Sequence, residues 1–331
     1  MRRPAIVTTA SLAALVAAPA FAHAQLAPAP APSPPAPAAQ GGTAKLSVKG
    51  GLATRRARYL VPGQTVTVVG SVAPFVEGQI VTVALRRGRR VTTGKRVAIQ
   101  RLARGRGGFV VRFRVRRRGT LRAAAVHPAT PQQQSFSALS KRLIVARFSA
   151  GLGSRGTKVG LLQRGLRRMG FAAPVGGGYG GATARAVLAY RKTNNMKRTG
   201  RASSAVFSRV FRGRGRFRPR RPRAGRHVEF DWSRQVLAFV DRGRAVAAYH
   251  VSSGKSSTPT VFGAFRFYRK QPGTNSHGMV HSNYFIGGYA IHGYKSVPNY
   301  PASHGCIRVP IPNAKAIDNR IRLGQTIFAY R

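Results

Sequence analysis

Cysteine is almost missing from this chain: Cys306 is the only one in 331 residues. An internal disulfide is therefore excluded, and the single thiol needs another reason to exist. Acidic residues are scarce as well, five Asp plus Glu against 58 Lys plus Arg, for a formal net charge of +53 at pH 7. No carboxylate lies between Asp241 and Asp318. Glycosidase chemistry, which generally uses two positioned carboxylates, has few candidates here. A zinc peptidase wants a carboxylate as ligand or general base, so His250, His277, His281, His292 and His304 lack the partner that such a site needs. Neither a metal nor any other cofactor is expected. Past the first 25 residues no apolar run approaches the length of a membrane span. Recognisable nucleic-acid-binding motifs are missing too, and the positive charge is scattered along the whole chain, so nucleic acid is not the expected partner.

The N-terminus supplies a different setting for that charge. Arg2 and Arg3 precede an Ala/Val/Leu-rich stretch that ends in Ala20-Phe21-Ala22 and Ala22-His23-Ala24, the pattern of a cleavable secretory signal over residues 1–24. An uncleaved anchor is the other reading of the same residues. Export makes a carboxylate- or phosphate-bearing polymer of the cell envelope the natural counterpart of +53.

Composition then divides the rest. Residues 25–44 form a Pro/Ala linker. Residues 45–148 alternate with period two in runs such as GFVVRFRVR, where Phe109, Val111, Phe113 and Val115 point one way and Arg112, Arg114 and Arg116 the other. An immunoglobulin-like β-sandwich is the expected fold, with a spacer or binding role. Residues 149–211 change to a helical period: Val159, Leu162, Gln163, Leu166 and Met169 make one stripe, and Thr183 is placed to cap a second helix after a Gly-rich loop. Residues 212–226, rich in Arg, Pro and Gly, read as a self-repelling, extended and solvated hinge. Residues 227–331 return to strands, with Asp241-Arg242-Gly243 as a hairpin turn and one short helix over 312–321 that opens on Pro312. The fold class is multidomain and mainly β.

The middle segment resembles a known module. Leu152-Gly153-Ser154-Arg155-Gly156, Val159, Leu162-Gln163, Leu166, Gly170, Gly180, Thr183, Ala186-Val187 and Tyr190 are similar to the small three-helix peptidoglycan-binding module of bacterial wall enzymes. The segment departs from that family in its Gly-rich loop, which carries Gly where an Asp-Gly pair is usual, and at Arg191, where Gln is usual.

The chemistry gathers around Cys306. A thiol is a good nucleophile only as thiolate, and its ordinary pKa of about 8.5 calls for a base, positive surroundings or N–H donors. His292, on an expected strand, can face the thiol from elsewhere in the chain, and Gly293 beside it leaves no side chain to obstruct a ligand. His304, two residues before Cys306, is less able to aim at the sulfur and suits the turn or the substrate. Gly305 permits strained angles and offers backbone N–H groups, with that of Cys306, to an oxyanion. Arg308 shares a face with Cys306 if the segment is extended, and adds positive charge. His281 could line the groove; His250 and His277 suit packing or hydrogen bonding.

Ala290-Ile291-His292-Gly293 followed by Ser303-His304-Gly305-Cys306-Ile307-Arg308 resembles the active-site signature of the bacterial L,D-transpeptidases, and the similarity extends over the last hundred residues. The gap between the two parts is shorter than the family's. The resemblance implies that Cys306 attacks a peptidoglycan stem tetrapeptide, releases D-Ala and passes the acyl group to an amine, giving a 3→3 cross-link. It implies His292 as proton donor and acceptor, and Ser303, His304, Gly305 and Arg308 as the remaining signature positions. Peptidoglycan is the expected partner and the cell wall or envelope space the expected location. The acceptor is left open between a stem peptide, a protein and water, as is a purely wall-binding role, for which the first two modules and the charge would suffice.

Overall fold

The structure, a computed structural model, describes residues 38–331. The expected signal, and the linker up to residue 37, lie outside the described residues. Chain-order elements begin with β1 (Thr43–Lys49), β2 (Leu52–Ala53), β3 (Ala57–Leu60), β4 (Gln64–Ala73), β5 (Ile80–Arg87), β6 (Arg90–Ala98), β7 (Gln100–Leu102), β8 (Arg106–Val115), β9 (Gly119–His127), β10 (Phe136–Leu139) and β11 (Arg142–Val145). One sheet runs β1-β4-β8-β7; the other runs β2-β3-β11-β9-β5-β6, with β10 also on β9. Their inner faces meet in a core that takes Val66, Val68, Phe109, Val111 and Phe113 from one sheet and Val81, Val83, Leu121 and Leu143 from the other. From Phe109 to Val115 along β8 the burial alternates residue by residue, with Phe109, Val111, Phe113 and Val115 inward and Val110, Arg112 and Arg114 outward, because successive side chains of a strand take opposite faces. The short strands β2, β3 and β10 carry too few residues to declare a period.

Three helices follow: α1 (Thr157–Arg168), α2 (Gly181–Thr193) and α3 (Ser204–Phe211). The stripe read from the sequence is buried, with Val159, Leu162 and Leu166 fully enclosed. Gln163, also buried, holds the Gly-rich loop: its Oε1 accepts from Gly177 N at 3.0 Å, and its Nε2 donates to Gly178 O at 2.8 Å and Thr183 Oγ1 at 2.9 Å. Thr183 does not cap the helix. Gly180 holds the N-cap position, and Thr183, one turn in, donates its hydroxyl back to Gly178 O at 3.1 Å. Arg191 is buried and donates from Nε to Lys197 O at 2.6 Å, which ties the end of α2 to the turn that follows.

The segment 212–226 is not a solvated hinge. Phe217 is buried in the helical core, and the backbone N–H groups of Arg220 and Arg221 donate to the Glu229 carboxylate at 2.9 and 2.8 Å. Burial alone would push that carboxyl up, but four donors, the His227 ring, the Tyr330 hydroxyl and these two amides, hold it below the usual carboxylate value. One buried acid thus overrides the self-repulsion of a run of arginines.

The remaining chain contains β12 (His227–Asp231), β13 (Val236–Asp241), β14 (Arg244–His250), β15 (Gly263–Arg266), β16 (Arg269–Thr274), β17 (Val280–Ile286), β18 (Tyr289–Tyr294), β19 (Ile307–Pro310), α4 (Ile311–Asp318) and β20 (Thr326–Tyr330). The β13–β14 hairpin turns on Arg242 (φ 48°) and Gly243 (φ 71°), both left-handed, which is what a two-residue turn matched to strand twist requires. Two sheets, β14-β13-β12-β20-β15 and β16-β17-β18-β19, enclose a core with α4. Pro312 sits in the first turn of α4, where its missing N–H costs nothing.

Candidate active site

The site rests on one parallel pair of strands. β18 and β19 align Ile291 with Ile307 and His292 with Arg308. Ile291, Ile307 and Val309 are fully buried in the core, so Ala290, His292 and Tyr294 share the opposite face with Cys306 and Arg308. Cys306, immediately before β19, comes level with Ala290 and one diagonal step from His292. A parallel pair demands a long crossover, here residues 295–306, which is why two residues fourteen apart in sequence become neighbours.

Cys306 is half-buried. Its thiol donates to Gly288 O at 3.6 Å, and the Ala290 N–H hydrogen-bonds the sulfur. Burial pushes the Cys306 thiol up, and it outweighs the Ala290 N–H and the Arg308 charge, which both pull it down. The positive surroundings expected to activate the thiol are therefore present without prevailing. His292 is 3% exposed. Its Nδ1 lies 2.9 Å from Gly293 O, and since a carbonyl only accepts, Nδ1 carries the hydrogen and Nε2 of the neutral ring is the free acceptor. Burial lowers the His292 pKa, opposed by that hydrogen bond and assisted by Arg308. At neutral pH the resting pair is thiol and neutral imidazole.

The turn before β19 is built by Ser303. Its hydroxyl donates to Cys306 O at 2.6 Å and accepts from Gly305 N at 3.1 Å. Gly305's own N–H is thereby engaged and is not free for an oxyanion; of the two amides expected in that role, the Cys306 N–H is the remaining candidate. Gly305 has φ 121°, and a Cβ there would stand 2.4 Å from the Tyr289 ring, so both backbone angle and space demand glycine. Its carbonyl accepts from Thr260 Oγ1 at 2.6 Å. Arg308 donates to Ala302 O at 3.2 Å and lies over the Tyr294 ring at 4.2 Å, which fixes its charge beside the pair.

One expected residue serves a different purpose from the one anticipated. Gly293 faces α4: a Cβ would meet Ala314 Cβ at 2.8 Å and Val280 Cβ at 3.0 Å, so its small size serves packing and not ligand access. His304 is exposed beside the turn. His281 lies in a bulge, where Val280 pairs with Gly293 and Asn283 with Ile291, leaving His281 and Ser282 together opposite His292. His281 has φ 48°, and its Nδ1 and the Ser282 hydroxyl are buried without a hydrogen-bond partner. Gly288 O, Ala290 N–H, Tyr289, Thr260 and Tyr294 complete the site. None carried a sequence signal: Gly288 and Ala290 act through backbone atoms, Tyr289 and Tyr294 as walls, and Thr260 through a hydroxyl that holds the Gly305 carbonyl. Among the described residues no three His, Cys, Asp or Glu side chains are gathered where they could hold one metal ion.

Two segments of the chain match known protein families. Residues 225–328 match the L,D-transpeptidase catalytic domain family, and residues 155–209 match a peptidoglycan binding domain family. No curated protein matches the chain. Among solved structures, the L,D-transpeptidase of Xylanimonas cellulosilytica is 32% identical, covering 56% of this chain and 98% of that one, with a TM-score of 0.51. The L,D-transpeptidase of Stackebrandtia nassauensis is 18% identical, covering 55% and 95%, with a TM-score of 0.35. The catalytic domain of the Enterococcus faecium L,D-transpeptidase is 22% identical, covering 32% and 96%, with a TM-score of 0.28. With 32% identity over an alignment that covers 98% of the Xylanimonas structure, the chain belongs to the L,D-transpeptidase family and joins a peptidoglycan-binding module to the catalytic domain.

Proposed function

We propose that the protein is an exported peptidoglycan L,D-transpeptidase that forms 3→3 cross-links by acyl transfer through Cys306. The observation that carries this reading is the strand register that sets a half-buried thiol one diagonal step from a neutral imidazole whose Nδ1–H is held by Gly293 O. In the resting state the thiol hydrogen points to Gly288 O; on donor binding it turns to His292 Nε2. The sulfur attacks the carbonyl between the diamino acid and terminal D-Ala of a stem tetrapeptide as the proton passes to Nε2. The tetrahedral oxyanion takes the Cys306 N–H. Collapse breaks the C–N bond, the proton moves from His292 to the departing amine, and D-Ala leaves a thioester on Cys306. An acceptor amine then gives its proton to His292, forms the new amide and restores the thiol.

His304, exposed beside the turn, and His281 in the bulge are the substrate-facing candidates, while Ser303 and Gly305 shape the turn and Arg308 provides charge. Export by way of residues 1–24, and contact of the basic surface with anionic wall polymer, belong to the same reading. Incubation with a defined disaccharide tetrapeptide tests it. D-Ala release with a cross-linked dimer is the expected result. D-Ala release with tripeptide alone makes the protein a carboxypeptidase, and a folded, reduced protein that releases none is a wall-binding protein.

A further inference from the structure

Lys192, on the peptidoglycan-binding module, is 1% exposed and has no carboxylate partner. Its Nζ donates to Val251 O at 2.8 Å and reaches Gln235 O at 3.4 Å, both in the catalytic domain. Burial, aided by the Arg198 charge, pushes its pKa down to about 7. A burial this unfavourable to charge is unusual for a contact that merely tethers two domains.

The segment that Lys192 grips lies directly under the thiol turn. Beyond Val251, the Ser252 N–H donates to Arg308 O at 3.0 Å, and the Arg308 N–H returns to Ser252 O at 2.8 Å. The Ser252 hydroxyl donates to Tyr300 O at 2.7 Å. Ser253 O accepts from Ala302 N at 2.8 Å and Ser303 N at 2.9 Å. Gln235, the other residue Lys192 reaches, locks the same segment through Ser253 N and Ser253 Oγ, each at 2.8 Å.

A second arm of the module grips the other end of that turn. Arg198 donates from Nη1 to Asn299 O at 2.7 Å and from Nη2 to Ser233 O at 2.9 Å, and Asn299 Nδ2 donates back to Arg198 O at 3.0 Å. The crossover from Asn299 to Arg308, which carries Ser303 and Cys306, is therefore held at its entrance by Arg198 and from below through Lys192.

We propose that Arg198 and Lys192 of the peptidoglycan-binding module are positioning residues for the Cys306 turn, so that the acyl-transfer site is complete only with the module docked. Neither side chain touches the sulfur or His292; each acts through the crossover. The inference rests on the acyl-transfer function proposed above, and its consequence is that the module is part of the catalytic machinery as well as a wall binder.

The full chain and its Arg198→Ala and Arg198→Lys variants are compared for D-Ala release from the disaccharide tetrapeptide, with thermal unfolding alongside. Turnover by the wild-type chain establishes the reaction itself; its failure to turn over removes the function and not the docking contacts. Given turnover, we expect kcat of Arg198→Ala to fall about tenfold, since small misplacements of a reacting group are costly. KM stays within about twofold and Tm within a few degrees, because the residue is at the surface, and Arg198→Lys recovers part of the loss. Unchanged kcat in Arg198→Ala overturns the proposal, as does a change confined to KM. Should Arg198→Ala not fold, Arg198→Gln, which keeps the stem, is read by the same criteria.

Discussion

Cys306 and His292 are each displaced from their ordinary titration in the direction that keeps them uncharged, and burial is the leading cause for both. The pH dependence follows with a definite sign. For kcat/KM the active form is thiol plus neutral imidazole, so activity is lost on the acid side below the ordinary histidine value of about 6.5 and on the alkaline side above the ordinary thiol value. Arg308 lowers both groups, so Arg308→Gln moves both limbs to higher pH, and a pH–rate profile checks it. His292→Ala, with the general base gone, reduces acylation by about 10²–10⁴, read as the rate of D-Ala release. Gly305→Ala forces φ 121° on a Cβ aimed at Tyr289; a loss of about 1–3 kcal/mol in urea unfolding is expected together with impaired acylation. The thiol and both signature histidines could be singled out as candidates in the sequence because a side chain announces itself by residue type. Gly288 O and the Ala290 N–H were not, because a backbone atom has no residue type to announce it.

At the scale of elements, the longer strands β4, β5, β8 and β9, each with a stretch of alternation, could be read directly, as could the stripe of α1 and the Arg242-Gly243 turn. β19 was not read: four residues, one of them Pro310, cannot display a period, yet this strand sets Cys306 beside His292. The docked course of 212–226 was hidden for a different reason, since its partner Glu229 is a single residue on a later strand. Lys192 on α2 was equally silent, because a lysine's burial is decided by what packs over it. Its folded pKa of about 7 lies below the unfolded value near 10.5. Between those values the unfolded chain binds more protons, so Lys192 makes stability rise as pH increases from about 7 toward 10. His250 from β14, pushed down to about 3 by burial with help from Lys192 and Arg185, acts in a separate window below pH 6.5. Lys192→Met is expected to remove the rise above pH 7 and to leave the acid window in place, as urea unfolding at a series of pH values will show. An unaltered slope above pH 7 contradicts the assignment.

For the whole molecule, charge is the dominant constraint. All five acids already have a basic partner: Glu77 with Arg101, Glu229 with His227, Asp231 with Arg234, Asp241 with Arg226, and Asp318 with Lys270 and Lys315. With 58 Lys plus Arg in the chain, most cations have no carboxylate to pair with, and self-repulsion opposes the compact state. Raising NaCl from about 10 to 500 mM shortens the Debye length from about 30 Å to a few ångströms, so Tm is expected to increase over that range. A decrease in a thermal scan would mean that the few ion pairs outweigh the repulsion. On the proposed function the same excess of cations would offer an anionic wall polymer a surface to meet, and the helical module, docked against β13, β14 and the crossover, lies in one body with the L,D-transpeptidase domain.

The central claim is that the Cys306 sulfur becomes acylated with His292 as the base. Intact-protein mass spectrometry of the full chain with a carbapenem, beside Cys306→Ala and His292→Ala, addresses it most directly. The expected result is one adduct per wild-type chain, none on Cys306→Ala, and formation on His292→Ala slower by at least a hundredfold, within the range of a lost general base. An adduct that persists on Cys306→Ala, or that forms at the wild-type rate on His292→Ala, would contradict the account.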